Sequence, residues 1–380
     1  MKKELKSTLG MYIHIPFCKQ ACSYCNFYFS TNQSTLNRIV DAICTEIGLR
    51  NDFWTSNSLS TIYFGGGTPS ILSTGHIEKI IASIKKSYKT TLCSEITFEC
   101  NPDDINEQKL KEWKRIGINR LSIGVQSFYN QHLLLMNRAH NAKQSYKAIE
   151  LAQKNGFNNL TVDLIYGIPK QSNEQLKADL QIIADLNIPH FSAYALTVEP
   201  KTVLAHQIKT GKINEVDDDV FKSHFEIIKS FATEHGYQHY EISNFAKPTK
   251  RALHNSSYWK SKPYIGIGPA AHSYNLDNRF WNIANNHKYL KAIENGNTFF
   301  EIEKLSKTDH YNEYLLTRLR TIEGVNILEL NSLFPEFIEH FNSESKTLLF
   351  KNLVQLENNI FTLTNQGQFL CDYITAQLMV

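Results

Sequence analysis

The sequence predicts a parallel α/β fold over its first two-thirds and a smaller, mostly helical domain at its C-terminus. Three observations carry this. Short β-rich runs alternate with amphipathic helical runs as far as about residue 240. The chain has 380 residues and 42% hydrophobic content, enough for one core of barrel size plus an accessory domain. Helical periodicity returns near residue 306. Alternating strand and helix implies parallel strands joined by right-handed crossovers, as an open doubly wound sheet or a whole or partial TIM-like barrel.

The strand candidates in order are MYIHIPF at 11–17, STIYFGGG at 60–67, EITFEC at 95–100, RLSIGVQS at 120–127, LTVDLIYGIP at 160–169 and HFSAYALTVE at 190–199. Between them lie HIEKIIASIKKSY, INEQKLKEWKRIG, SYKAIELAQKNG and NEQLKADLQIIADL, with apolar residues at helical spacing and Gly or Asn near several ends. From 247 to 300 the chain is rich in Pro, Gly, Asn and aromatics and shows no long helical period, so it reads as a structured connection. The last stretch, NNIFTLTNQGQFLCDYITAQL, reads as a short hairpin and a terminal helix, as in a winged-helix domain without a basic recognition helix. The expected units are therefore 1–246, 247–300 and 301–380.

Composition narrows the partners. With 40 Lys and Arg against 37 Asp and Glu, nothing in the totals calls for nucleic acid. The apolar run MYIHIPF is too short for a signal sequence, and no stretch approaches the roughly 20 apolar residues that span a bilayer. A cytoplasmic protein is expected, in which the seven cysteines stay reduced. Cys44, Cys93, Cys100 and Cys371 are scattered and read as small buried apolar residues.

The remaining three stand together in CKQACSYC, residues 18–25. A structural zinc site takes four ligands, usually as two separated Cys pairs, and there is no second C-x-x-C in the chain. A [4Fe-4S] cluster takes four thiolates, so three from one loop leave one iron open to an exchangeable ligand. Cys18, Gly65 to Thr68, Glu99, Gln126 and Asp163 all fall at or just beyond the end of a strand candidate. In a parallel barrel those ends share one rim, where ligands bind.

The C-x-x-x-C-x-x-C loop after the first strand resembles the radical S-adenosylmethionine superfamily, and GGGTPS at 65–70 resembles its second motif. YIHIPFCKQACSYCNF, YFGGGTPS, FECNP, SIGVQSF, NRAH, VDLIYGIP, HYEISNFA, HNSSYW and YIGIGPAAHS together resemble the branch of oxygen-independent coproporphyrinogen oxidases and related heme chaperones. The resemblance implies a partial (β/α)6 barrel with Cys18, Cys22 and Cys25 on the cluster. It implies S-adenosylmethionine held by Tyr12, Gly66, Gly67, Thr68, Glu99, Gln126, Arg138 and Asp163. Carboxylates suit the ligand's ribose hydroxyls or amine, and Arg138 its carboxylate.

Within that branch the oxidases carry a further cysteine two residues after the third, where this chain has Asn26 and Phe27. They also carry a substantial leading segment, where about ten residues precede Met11 here. Both departures are those of the heme chaperones, so the resemblance implies heme transfer to acceptor hemoproteins; the alternative is oxidative decarboxylation of coproporphyrinogen III to protoporphyrinogen IX. Were radical chemistry to occur, the cluster would reduce the sulfonium and release a 5′-deoxyadenosyl radical that abstracts hydrogen. An electron donor and a homodimer are further expectations. HNSSYW places His254 as the leading heme ligand, with a hydrogen bond at the barrel edge as its other reading; His272 and His14 come behind it.

Overall fold

The computed structural model describes residues 8–51 and 56–380; the reading of the first seven residues lies outside them. The first half runs β1 (Leu9–Ile15), α1 (Leu36–Leu49), β2 (Leu59–Gly66), α2 (Thr74–Ser87), β3 (Glu95–Cys100), α3 (Glu107–Ile116), β4 (Arg120–Gln126), α4 (Asn130–Leu135), α5 (Ala142–Lys154), β5 (Leu160–Tyr166), α6 (Asn173–Asp185) and β6 (His190–Ala195). Then come α7 (Val203–Lys209), α8 (Asp218–Glu234), β7 (Gln238–Glu241), β8 (Asn244–Ala246), α9 (Leu253–Trp259), β9 (Tyr264–Ile267), β10 (His272–Tyr274), β11 (Asn278–Asn282), α10 (Asn286–Glu294) and β12 (Phe300–Lys304). The last part holds α11 (Lys307–Leu319), β13 (Val325–Asn326), α12 (Ile327–Leu333), α13 (Ile338–Phe350), β14 (Val354–Glu357), β15 (Ile360–Leu363), α14 (Asn365–Phe369) and α15 (Cys371–Leu378).

All six expected strands form, and they lie side by side in chain order. The main sheet has 12 strands in the order β12-β11-β10-β9-β1-β2-β3-β4-β5-β6-β8-β7. From β9 through β6 neighbours are parallel, while β8 on one flank and β10 on the other run antiparallel. The sheet therefore curves as a partial barrel with both edges extended, and the stretch 247–300 contributes strands to it.

Local chemistry explains the helices that separate the strands. Ser73, Asn106, Asn141 and Ser172 each accept a first-turn backbone N–H, and the last two form complete capping boxes. Gly117 ends α3 at φ 108°, a left-handed position suited to a residue without Cβ. Along β1, Met11, Ile13 and Ile15 are at most 1% exposed and pack outward against the helices. Tyr12 and His14 alternate with them onto the concave face. The same alternation brings Thr61, Tyr63, Glu99, Ser122, Asp163 and Ser192 to that face.

Two boundaries move the site. Pro16 has no N–H to give a ladder, and β1 ends at Ile15, so the cysteine loop starts immediately. Strand β5 continues to Tyr166, and Asp163 lies in its middle rather than at its end, hence deeper in the barrel.

The C-terminal region has its own apolar cluster, including Tyr311, Leu315, Leu330, Phe341 and Phe361. Its small sheet is ordered β13-β15-β14. The expected hairpin is β14–β15, turned by Asn358 and Asn359 at φ 51° and 64°, the pair of positive values that a two-residue turn of matching twist requires. Among the described residues no helix is long and apolar enough to cross a membrane. Cys100 and Cys371 are buried as expected, whereas Cys44 and Cys93 are only half-buried.

Candidate functional site

A cavity of about 470 Å³ opens at the C-terminal rim of the parallel strands, within the roughly 300–1,000 Å³ of small-molecule sites. Cys18, Cys22 and Cys25 line it, as do Gly66, Gly67, Thr68, Glu99, Gln126, Arg138 and Asp163. Of the residues assigned to the cluster and S-adenosylmethionine, Tyr12 alone does not reach this lining. Its ring stacks on Tyr63 at 6.0 Å and its hydroxyl meets His14 Nδ1 at 3.2 Å. Tyr63 stands in the cavity wall instead.

The cysteine loop is clamped to the Gly-rich strand end by backbone hydrogen bonds. Gly67 N–H donates to the Ile15 carbonyl at 2.8 Å and Thr68 N–H to the Phe17 carbonyl at 2.7 Å. At Gly67 a Cβ would lie 2.4 Å from the Phe17 carbonyl oxygen, so the two segments approach only because this residue has no side chain. Thr68 donates its hydroxyl to Cys18 Sγ at 3.4 Å.

Arg138 leaves the turn after α4 and enters the cavity. One guanidinium nitrogen donates to Cys22 Sγ at 3.3 Å and the other to Asn101 Oδ1 and the Gly124 carbonyl at 2.7 and 2.8 Å. Asn101 in turn reaches the Thr68 hydroxyl at 3.5 Å. Gln126 sits at φ 70° where the β4–β5 register skips Val125, and the Gln126 side chain lines the cavity.

The carboxylates face different surroundings. Burial pushes the Glu99 carboxyl up to about 7, the Tyr63 hydroxyl at 2.7 Å pulls it back, and Asp163 raises it. Burial also raises Asp163, against the pull of the Ser192 and Ser122 hydroxyls, the latter donating at 3.0 Å. Glu99 is thus poised to change charge near neutrality. Burial likewise pushes the Cys18 thiol up to about 11, opposed by Thr68 and reinforced by Cys25 and Cys22.

Among the described residues, no three His, Cys, Asp or Glu side chains close around a single ion. A cubane asks for a different arrangement, one thiolate on each of three irons, and the rim trio facing one cavity suits it.

His254 is elsewhere. It lies at the start of α9, only 1% exposed, where the Glu95 carboxylate accepts the backbone N–H groups of Leu253 and His254, each at 2.9 Å. Its Nδ1 meets the Thr61 hydroxyl and its Nε2 the Tyr258 hydroxyl, both at 2.8 Å. Burial lowers its pKa to about 3. In this packing neither nitrogen is open to an iron, and the hydrogen bond at the barrel edge is what the structure shows.

Tyr63, Asn101, Ser122, Ser192 and Tyr194 are cavity residues that sequence reasoning did not single out. For Tyr63 the period-two spacing to Gly65 was an available signal; for Asn101, its place directly after a strand end.

A parallel partial barrel with three thiols on its rim defines the class: residues 12–183 match the radical SAM superfamily. The family within it follows from full-length relatives. The heme chaperone HemW of Lactococcus lactis is 33% identical, with 96% of this chain and 95% of that protein covered. HemW of Bacillus subtilis is also 33% identical, over 94% and 96%. This chain belongs to the HemW family. Among solved structures, coproporphyrinogen III oxidase HemN from Escherichia coli superposes with a TM-score of 0.85 at 24% identity, covering 98% of this chain and 90% of that one, a likeness of fold. Membership of the superfamily implies a [4Fe-4S] cluster and S-adenosylmethionine, and the rim geometry fits both.

Proposed function

We propose that this protein is a cytoplasmic heme chaperone that holds a [4Fe-4S] cluster and S-adenosylmethionine in the barrel mouth and passes heme to acceptor hemoproteins. The observation that carries the reading is the rim itself: three thiols, a side-chain-free strand end and two buried carboxylates around one cavity. The HemW relatives, named heme chaperones, match along nearly the whole chain.

In this reading Cys18, Cys22 and Cys25 bind three irons. When bound, the cluster would supply one iron without a protein thiolate, open to S-adenosylmethionine. Gly66, Gly67 and Thr68 leave room for the methionine part, with Tyr12 supporting this wall from behind Tyr63. Arg138 supplies a fixed cation beside the ligand carboxylate and Cys22. Glu99, ionised, faces the cationic amine, while Gln126 and Asp163 accept from or donate to the nucleoside.

Asn26 and Phe27 follow the third cysteine, and Phe27 is 71% exposed, so the loop offers no fourth thiol at that point. The test is twofold. Reconstituted protein titrated with hemin should show saturable binding and pass heme to an apo-hemoprotein, and it should form no protoporphyrinogen from coproporphyrinogen III with reductant and S-adenosylmethionine. Turnover in the second assay would replace the chaperone reading with the oxidase one.

A further inference from the structure

The cavity continues past the rim toward the other end of the strands. Its lining there includes Thr97, Arg120, Thr161 and His190, close to the starts of β3, β4, β5 and β6. Thr97 pairs with Arg120, and Thr161 with His190, across neighbouring strands. Period-two alternation sets these four one level below Glu99, Ser122, Asp163 and Ser192 on the same concave face. Each of the four is at most 4% exposed.

We infer that this floor of the barrel is a binding site for a small carboxylate. The site is built from strand starts, opposite the thiols, and stands apart from the chaperone reading.

Charge is the first argument. A guanidinium taken out of water is costly unless an anion stands beside it. Arg120 is 1% exposed, and among the described residues no carboxylate forms an ion pair with it. Its terminal nitrogens donate to Asn159 Oδ1 at 2.5 Å and to the Thr161 hydroxyl at 2.6 Å, both neutral. The carboxylates in reach are spent elsewhere. Asp163, one level up, takes the Ser122 hydroxyl at 3.0 Å, and Glu95 takes the N–H groups of Leu253 and His254.

Hydrogen bonding is the second. Thr97 Oγ1 and His190 Nδ1 are buried without a partner, and both residues line the cavity. The tautomer of His190 follows from its neighbour. The Tyr240 oxygen already accepts the Ala252 N–H at 3.4 Å, which leaves the Tyr240 proton for His190 Nε2 at 2.8 Å. Burial keeps this imidazole neutral, so its one ring proton sits on Nδ1 and is there to be given. Thr161 accepts from Arg120 and keeps its own hydroxyl proton to give.

The floor therefore offers a fixed cation and up to three donors. A carboxylate accepts from all of them and supplies the missing charge, with two coplanar oxygens suited to a guanidinium. Water would satisfy the donors and leave the charge uncompensated. An ammonium or metal cation would meet Arg120 and be repelled. Because the same cavity opens at the rim, the anion reaches the floor through the barrel mouth.

The test uses the anaerobically reconstituted full chain, titrated with sodium acetate against sodium chloride at equal ionic strength. Calorimetry and the thermal unfolding midpoint are the readouts, since a ligand held only by the folded state raises that midpoint. Acetate should bind saturably and chloride should not reproduce it. Thr97→Val, nearly equal in volume, should weaken acetate about tenfold, and Arg120→Met about a hundredfold. A parallel titration with 5-hydroxypentanoate separates two sources of the same chemistry. Affinity at least about tenfold above acetate supports the site as the seat for one end of a longer acid lying up the barrel, and equal affinity supports it as the seat of a free small anion. No saturable acetate binding beyond chloride overturns the assignment, as does binding of equal strength in wild type, Thr97→Val and Arg120→Met. Either failure leaves the chaperone reading standing.

Discussion

The Tyr63 hydroxyl donates to the Glu99 carboxylate at 2.7 Å inside the barrel mouth. Burial pushes Glu99 up to about 7, and this hydrogen bond is the strongest contribution holding it back from going higher. A carboxyl that changes charge near neutrality, facing a ligand that carries an ammonium and a sulfonium, makes binding depend on pH.

The sign follows directly. Ionised Glu99 attracts the cationic ligand, so S-adenosylmethionine should bind more tightly as pH rises through about 7. Between about pH 6 and pH 8 the affinity should change by up to about tenfold, because one unit below its pKa only about a tenth of the group is ionised. Calorimetric titration across that range checks it. In Glu99→Gln the pH dependence should flatten, and in Tyr63→Phe it should move to higher pH because a bond to the ionised form is gone.

At Gly67 the expected effect is steric. Gly67→Ala sets a methyl group 2.4 Å from the Phe17 carbonyl oxygen, so the cysteine loop must shift. Overpacking of this kind costs about 1–3 kcal/mol. Urea unfolding of the protein without its cluster should show that loss, and iron and sulfide analysis after reconstitution should show reduced cluster content.

Arg138 bonds simultaneously to Cys22 Sγ, Asn101 and the Gly124 carbonyl. Replacing it by Gln removes a charge-assisted contact of about 1.5–3 kcal/mol, or about ten- to a hundredfold in S-adenosylmethionine affinity. Loss of a hydrogen bond to a cluster sulfur should also lower the cluster's midpoint potential, measured by EPR-monitored redox titration.

Much of this was readable from residue order. Strand β3 was placed at its observed bounds, Glu95–Cys100, because EITFEC is a short β-rich run closed by Asn101 and Pro102. The cluster cysteines were legible for a related reason: a site built from one contiguous loop leaves its spacing in the sequence. Tyr63 and Asn101 were not, since their roles arise where separate strands converge, and a strand tyrosine looks the same whether it fills a core or lines a cavity. His254 shows the opposite limit. Its motif drew attention to a ligand, yet Thr61, 193 residues away in sequence, occupies the imidazole, and nothing local to HNSSYW announces that partner.

His254 therefore has consequences for stability. Its folded pKa is lowered to about 3 from 6.5, so between those values the unfolded chain takes up a proton that the folded one does not. Its contribution is to make stability fall as pH drops below about 6.5. His254→Asn should lessen that slope in denaturant titrations at successive pH values. His254→Ala should cost about 2–4 kcal/mol, because it leaves a cavity and strips Thr61 and Tyr258 of their buried partner.

The most direct measurement is the EPR spectrum of the anaerobically reconstituted, reduced protein with and without S-adenosylmethionine. Iron and sulfide near four per chain, with a spectrum that changes when the ligand is added, is the expected result, since a free iron corner accepts it. Protein without iron and sulfide, or a cluster signal indifferent to S-adenosylmethionine, would contradict it.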